Sequence, residues 1–193
     1  MEALSDNALM LKVKDNDLDK LGLLFERYKK PLFGFFYNLN KDQELSEDLV
    51  QNTFLRILKY RHLFRLPENN LQDAGEGSFR TWMFHIARNV SHDHYRKDKI
   101  KNKENVEDWQ HQLIHHEHKS SELEQQDEQT LLNMAMEKLP ADKREILLLS
   151  KYQEKKYKEI GEVLGCSEGT VKVKVFRALQ ELKTIYQQLE KRV

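Results

Sequence analysis

The stretch SEGTVKVKVFRALQ (residues 167–180) sets Lys172, Lys174 and Arg177 within two helical turns of two hydroxyl side chains, Ser167 and Thr170. Ammonium, guanidinium and hydroxyl groups at this spacing donate hydrogen bonds and carry positive charge, with Glu168 in the first turn as the one acid among them and no imidazole to activate a nucleophile. Their natural counterpart is a nucleic acid, with phosphate oxygens for the cations and base edges for the side chains between them. Val173 lies among them and can touch the methyl group of a thymine. Phe176, one turn on, reads either as part of that face or as packing against a neighbouring helix.

A second group of the same kind lies in FRTWMFHIARNVSHDHYRK (residues 79–97). At 100° per residue, Phe79, Met83, Ile86 and Val90 fall within a narrow arc, and Thr81, His85, Arg88, His92 and Arg96 fall on nearly the opposite side. One face packs inward and the other offers hydrogen bonds and positive charge.

Catalysis has little to stand on. The chain lacks a phosphate-cradling glycine loop, a nucleophile elbow, an HExxH pair and a dinucleotide fingerprint, so neither an enzyme nor a cofactor is expected. Cys166 is a lone thiol near a helix N-terminus and reads as turn packing rather than as a redox sensor. His111, His115, His116 and His118 cluster near Glu117, and the i, i+4 pair His111 and His115 can chelate zinc if helical. With no cysteine nearby and no second ligand set, they read as incidental and no metal is expected.

The elements that position these groups are helical. The stretch LDKLGLLFERYKKPLFGFFYNL sets Leu18, Leu21, Phe25, Tyr28, Leu32, Phe36 and Leu39 on one stripe, which Pro31 is expected to kink or divide. SEDLVQNTFLRILKY opens on Ser46 as N-cap, with Glu47 and Asp48 in the first turn where the helix dipole favours negative charge. Its apolar side is Leu49, Thr53 or Phe54, Ile57 and Leu58. Residues 65–78, with Pro67, Gly75 and Gly77, read as a long loop of the kind that is usually functional or disordered. Ser78 then caps the helix of residues 79–97.

Near the C-terminus, KYKEIGEVLGCSEGTVKVKVFRALQEL carries the inner side of a short helix on Ile160, Val163 and Leu164. Gly161 offers a small surface for a crossing helix, Gly165 closes the helix in a left-handed residue, and Ser167 caps the next one. Val171, Val175, Ala178, Leu182, Ile185 and Leu189 are its buried side. Two helices joined by three or four residues containing glycine, with basic and hydroxyl groups early in the second, describe a helix-turn-helix. In that device the second helix enters the major groove with its N-terminal residues at base edges.

Bulk composition agrees with helical domains. The chain has 193 residues, 39% hydrophobic and 33% charged, with only 7 glycines and 3 prolines, which argues against an all-β fold. No apolar run approaches the roughly 18–20 residues that span a bilayer. The N-terminus lacks a signal-peptide core, and a single cysteine suits a reducing compartment, so the expectation is a cytoplasmic protein without membrane insertion. Formal net charge is zero, but by cancellation. Residues 94–103 hold five basic side chains against Asp98, residues 104–130 hold eight acidic ones against Lys119, and residues 168–193 hold six basic against three acidic. The expected organisation is two small helical domains, 1–99 and 122–193, joined by an acidic flexible linker over 100–121.

Taken in order, SEDLVQNTFLRILKY, FRTWMFHIARNVSHDHYRK and LPADKREILLLSKY…YKEIGEVLGCSEGTVKVKVFRALQELK resemble the extracytoplasmic-function (ECF) sigma factors of bacterial RNA polymerase, of the sigma-70 family. The resemblance spans nearly the whole chain apart from the linker. It implies a promoter-specificity subunit whose first domain, sigma region 2, docks on core polymerase and melts and reads the −10 element as single strand. The second, region 4, reads the −35 element as duplex, while the linker threads towards the polymerase active centre.

By position, Asp48, Gln51, Asn52 and Leu55 resemble the residues that meet the clamp of the largest polymerase subunit, the other implied polymerase contact being the flap. Asn52 stands where the family often has Glu. Arg80, Trp82, Arg88, Asn89, Asp93, Arg96 and Lys97 lie on the helix that resembles the −10 reader, with Trp82 between its apolar and polar faces. Ser167, Thr170, Lys172, Val173, Lys174 and Arg177 resemble the −35 contacts. Val173 stands where Ser is common and Lys174 where Arg is common; Lys lacks the fork that Arg offers to guanine, so a different promoter element is expected. An anti-sigma partner, which many such factors have, is also implied. The rival, a stand-alone operator-binding regulator, accounts for the second half of the chain and leaves DLVQNTF and FRTWMFHIARN unexplained.

Overall fold

The computed structural model describes residues 4–66, 77–104, 125–152 and 157–191. Among these the regular elements are helices: α1 (Asp6–Lys14), α2 (Asp19–Asn40), α3 (Gln43–Tyr60), a 3-10 turn (Arg61–Leu63), α4 (Gly77–Glu104), α5 (Gln125–Lys138), α6 (Ala141–Tyr152), α7 (Tyr157–Leu164) and α8 (Glu168–Glu190). The all-α expectation holds.

The first block, α1 to α4, closes around α2. Leu24, Leu32, Phe35 and Phe36 of α2 meet Leu49 and Ile57 of α3 and Phe79, Met83 and Phe84 of α4, all buried. Aromatic rings meet edge-on, Phe35 with Phe84 at 5.5 Å and Phe25 with Phe54 at 5.0 Å. Such pairs add about 0.5–1.5 kcal/mol each beyond the area they bury.

Helix α1 carries no motif in the sequence. Ser5 caps it by accepting from the Ala8 amide at 3.3 Å, and Leu9, Met10 and Val13 are buried. Asp6 accepts hydrogen bonds from Arg27 and from the Tyr28 hydroxyl. Asn7 accepts from the backbone amide of Phe79 at 2.9 Å, so α1 supplies a partner to one of the orphan donors at the start of α4.

Local expectations are corrected at several points. Of the two outcomes expected at Pro31, division does not occur, since α2 is one helix through it; proline removes one intrahelical bond, and burial of Tyr28, Leu32 and Phe35 on both sides of it anchors both halves to the core. Leu18 stands exposed at the head of α2 rather than on its inner stripe. Helix α3 is capped by Asp42, which accepts from the Leu45 amide at 3.0 Å, and not by Ser46, which is buried a turn further in and donates to the Asp42 carbonyl. Helix α4 starts at Gly77, one residue before the expected cap Ser78. Thr81, expected on its polar side, is buried. Helix α4 also continues to Glu104, into the stretch expected as linker from residue 100. The rest of that linker (105–121), with its histidines, the first residues expected in the second domain (122–124) and most of the 65–78 loop (67–76) lie outside the described residues.

The second block packs α8 against α5, α6 and α7. Leu139, Ile146, Leu149, Ile160, Val163, Val171, Val175 and Ala178 are buried. Arg144 of α6 gathers the chain around it. Its Nε donates to the Met136 carbonyl at 2.9 Å, and Nη2 donates to the carbonyls of Glu137 and Leu139, the open C-terminal end of α5. Burial lowers the Arg144 pKa and the nearby Glu137 charge opposes that; an arginine so placed stays protonated.

The two blocks also meet. Helix α4 lies on α7 and α2 on α6, and buried apolar side chains run without a break from Leu9 of the first block to Ala178 of the second. Arg144 Nη1 donates across the junction to the Leu39 carbonyl at 3.1 Å, and Lys41 Nζ lies 3.5 Å from Glu137 Oε1. The sequence suggested two small domains on a flexible tether, whereas in this state their buried side chains form one contiguous cluster.

Candidate nucleic-acid interface

The helix-turn-helix is built as its glycines require. Gly165 closes α7 with φ +67°, a left-handed conformation that costs glycine nothing. Cys166 then donates its amide to the Gly161 carbonyl at 2.9 Å. A Cβ on Gly161 would stand 2.6 Å from the Cys166 carbonyl oxygen. The close approach at Gly161 is therefore made by the chain's own turn and not by a crossing helix, as the sequence suggested.

Ser167 caps α8, its Oγ accepting from the Thr170 amide at 3.2 Å with the Thr170 hydroxyl 2.9 Å away. Both hydroxyls expected at DNA are thus engaged in the cap and remain exposed. Lys172 Nζ lies 2.8 Å from Glu168 Oε1, and that hydrogen bond raises the lysine pKa. Lys174 and Arg177 are exposed, and among the described residues neither forms an ion pair. Val173 is 49% and Phe176 62% exposed. Of the two readings of Phe176, packing against a neighbouring helix is not what the structure has.

Helix α4 places its candidates differently. Arg88 is half-buried, and its Nε donates to Glu145 Oε1 of α6 at 3.1 Å; His92 Nε2 lies 3.3 Å from the same oxygen. Glu145 is only 8% exposed, so its charge needs these partners. Trp82 packs its ring 5.4 Å from Phe64 and 6.5 Å from Phe79 and forms part of the core wall. Asp93 receives Arg56 at 2.8 Å and Arg96 at 3.0 Å. The hydrogen bond from Arg56 leads in holding the Asp93 carboxyl below its ordinary range, with the charges of Arg56, Arg96 and Lys97 adding to it against some desolvation. Asn89, exposed, reaches His85 at 3.4 Å. Arg96 and Lys97 are exposed and Arg80 is half-buried.

On α3, Asp48, Gln51, Asn52 and Leu55 are all exposed and share one side through their i, i+3, i+4, i+7 spacing. Leu55 is 62% exposed. Beside them a groove of about 310 Å³ opens between α2 and α3, lined by Phe25, Lys29, Lys30 and Phe33 of α2 and Glu47, Val50 and Gln51 of α3.

Three residues not anticipated at the sequence level shape these faces: Arg56, Arg144 and Glu145. Glu145 alone left a signal. It lies four residues before Leu149 on the apolar side of α6, where an acid is tolerated only if paired.

Comparison with known proteins agrees with the geometry. The Sigma-70 region 2 family model matches residues 24–100 and the Sigma-70 region 4 model matches residues 129–182. The ECF RNA polymerase sigma factor SigM of Bacillus subtilis (strain 168) is 29% identical over 163 residues, covering 84% of this chain and 93% of the relative. Among solved structures, the sigma factor RpoE in complex with the anti-sigma factor NepR from Bartonella quintana is 26% identical with a TM-score of 0.60, over 88% of this chain and 95% of that one. CnrH in complex with the cytosolic domain of CnrY shares the fold at a TM-score of 0.65 and 19% identity, over 95% of this chain and 97% of that one. With one matched region taking in most of α4 and the other the glycine-closed turn and most of α8, the chain belongs to the sigma-70 family as an RNA polymerase sigma factor of the ECF type.

Proposed function

We propose that this sigma factor docks on the clamp of core RNA polymerase through Asp48, Gln51, Asn52 and Leu55 of α3 and reads its promoter with two separate helices. Helix α8 enters the major groove of the duplex −35 element with Lys174 and Arg177 on phosphates and bases, its Ser167 cap fixing the angle of entry. Helix α4 holds the melted −10 strand with Arg80, Arg88, Asn89, Arg96 and Lys97, while Trp82 and Asp93 shape that surface from behind. The observation that carries the reading is the exposed basic face of α8 beyond a glycine-closed turn, in the same chain as an exposed stripe on α3.

The zero net charge of the chain fits this division. Each neutralised phosphate contributes about 0.9 to the salt-dependence slope of duplex binding, so two small basic faces grip DNA weakly alone. Polymerase supplies affinity by presenting both readers at once. The Arg88–Glu145 pair has to open before Arg88 meets DNA, so the compact arrangement is a resting state. An anti-sigma partner is part of the reading, because a relative of this fold, RpoE, was solved with one.

Reconstitution with core polymerase and genome-wide mapping of transcription starts tests it. The expected outcome is initiation from promoters that share a −10 and a −35 element. Tight operator binding by the pure protein together with no association with core polymerase would return the stand-alone regulator reading.

A further inference from the structure

The outward line of α8 is not the polar surface that a basic helix would normally show to water. At 100° per residue Gly169, Val173, Phe176 and Gln180 follow one another directly opposite the buried Val171, Val175 and Ala178. Val173 and Phe176 are exposed, and Leu179 beside them is 51% exposed. Lys172 flanks this apolar line on one side and Arg177 on the other, with Lys174 beyond it.

Gly169 is equally out of place. A Cβ there would meet nothing closer than the Ser167 Oγ at 4.0 Å, so folding does not call for a bare backbone at that point. Glycine weakens a helix relative to alanine. A bare first turn on the outward side lets the helix backbone come close to whatever it meets.

A surface that is apolar along its axis, with Arg177 and Lys174 along one flank, the Lys172–Glu168 pair along the other, and a bare tip fits one occupant best. The major groove is walled by phosphates, and the apolar group it displays is the thymine C5-methyl. Val173 and Phe176 are three residues apart, about 4.5 Å along the axis, which spans one to two base steps of about 3.4 Å. We infer that Val173 and Phe176 select thymine methyl groups at one or two adjacent positions of the −35 element, with Gly169 kept bare to admit the helix to that depth. This rests on α8 being the −35 reader. It adds that specificity at those positions comes from apolar contact, with the cations holding the helix in register.

The test uses holoenzyme assembled from the full chain and core polymerase, on a promoter taken from the mapped starts. Each −35 thymine is replaced singly by deoxyuridine, which removes the methyl and leaves every hydrogen-bonding group in place. Open-complex formation should fall roughly fourfold at one or two adjacent positions, the value of a buried methyl-sized group. Val173→Ser and Phe176→Ala holoenzymes should lose that sensitivity, a coupling read as a double-mutant cycle. Gly169→Ala should melt no lower than the parent yet occupy the promoter less.

Uridine substitution without effect at every −35 thymine overturns the inference, as does sensitivity that survives in both variants. Replacement of the whole −35 element serves as the separate control. If that abolishes initiation while uridine does nothing, only the methyl contact falls; if it changes nothing, the −35 reading itself falls. Loss of core polymerase binding by Val173→Ser or Phe176→Ala in the absence of DNA would mark the line as a protein-docking face and overturn the assignment.

Discussion

Helices α4 and α8 carry similar side chains in opposite circumstances. On α4, Arg88 is held by Glu145 of α6, Arg96 and Arg56 share Asp93, and Trp82 is built into the core wall. On α8, Lys174 and Arg177 stand in solvent, and two apolar side chains stand with them. Basic residues therefore do not by themselves mark an available nucleic-acid face; what occupies their donors decides. In the compact arrangement the outer cations Lys174 and Arg177 of α8 are free and those of α4 are partly satisfied by protein acids, which on the proposed reading sets an order of events. On that reading α8 meets the −35 duplex first, and α4 follows once the blocks part.

The largest expected break in this comparison is on the free side. Arg177→Ala combined with Lys174→Ala should lower holoenzyme affinity for the promoter by roughly 100-fold, because each good base or phosphate contact is worth about 1–3 kcal/mol. The melting temperature should barely move, since both side chains are exposed. Competition binding and a thermal scan on the same preparation check both halves.

Gly161→Val should come next and act through the fold. Its side chain would press on the Cys166 carbonyl, which a Cβ already meets at 2.6 Å, and overpacking of this kind costs about 1–3 kcal/mol. A urea midpoint that falls with an unchanged slope is the expected signature.

On the engaged side, Glu145→Gln keeps the shape and removes the charge. We expect stability to fall by about 0.5–1.5 kcal/mol as the charge-assisted bond weakens. The free chain should gain about two- to five-fold in affinity for single-stranded −10 DNA, the gain that a freed resting pair of about 0.5–1 kcal/mol allows. No gain, with Arg88→Ala equally silent, would make α4 a structural helix.

The smallest effect is a matter of pH. The Asp93 carboxyl is held below its ordinary value by Arg56, so its contribution is present above the unfolded pKa of about 3.9 and is lost as pH falls through the lower folded value. Wild type and Asp93→Asn should differ by a constant small amount from pH 5 to 8, and the gap should close in acid.

Much of this was legible in the sequence where periodicity and cap chemistry coincide. The inner faces of α4 and α8 follow from spacing alone, as do Gly165 and Ser167 around the turn. Ser46 misled because SED imitates a cap, whereas Asp42 offers the same oxygen a turn earlier and the longer helix buries Ser46. Helix α1 was invisible because nine residues with a weak apolar stripe carry little local signal; its reasons for existing, Arg27, Tyr28 and the amide of Phe79, lie far away in sequence. For the same reason the junction between the blocks could not be read. Arg144 reaches Leu39, and Glu145 reaches Arg88, across separations that no window of residues spans.

The distance between the blocks before and after polymerase binding tests the central claim most directly. With Cys166→Ser as background, spin labels at Lys59→Cys and Gln188→Cys, both exposed in the parent chain, report it by pulsed electron resonance. The account predicts one narrow distance distribution for the free chain, replaced by a clearly longer one when core polymerase is added. The same distribution in both samples would contradict it, because α4 would then have to read DNA with Arg88 still held by Glu145.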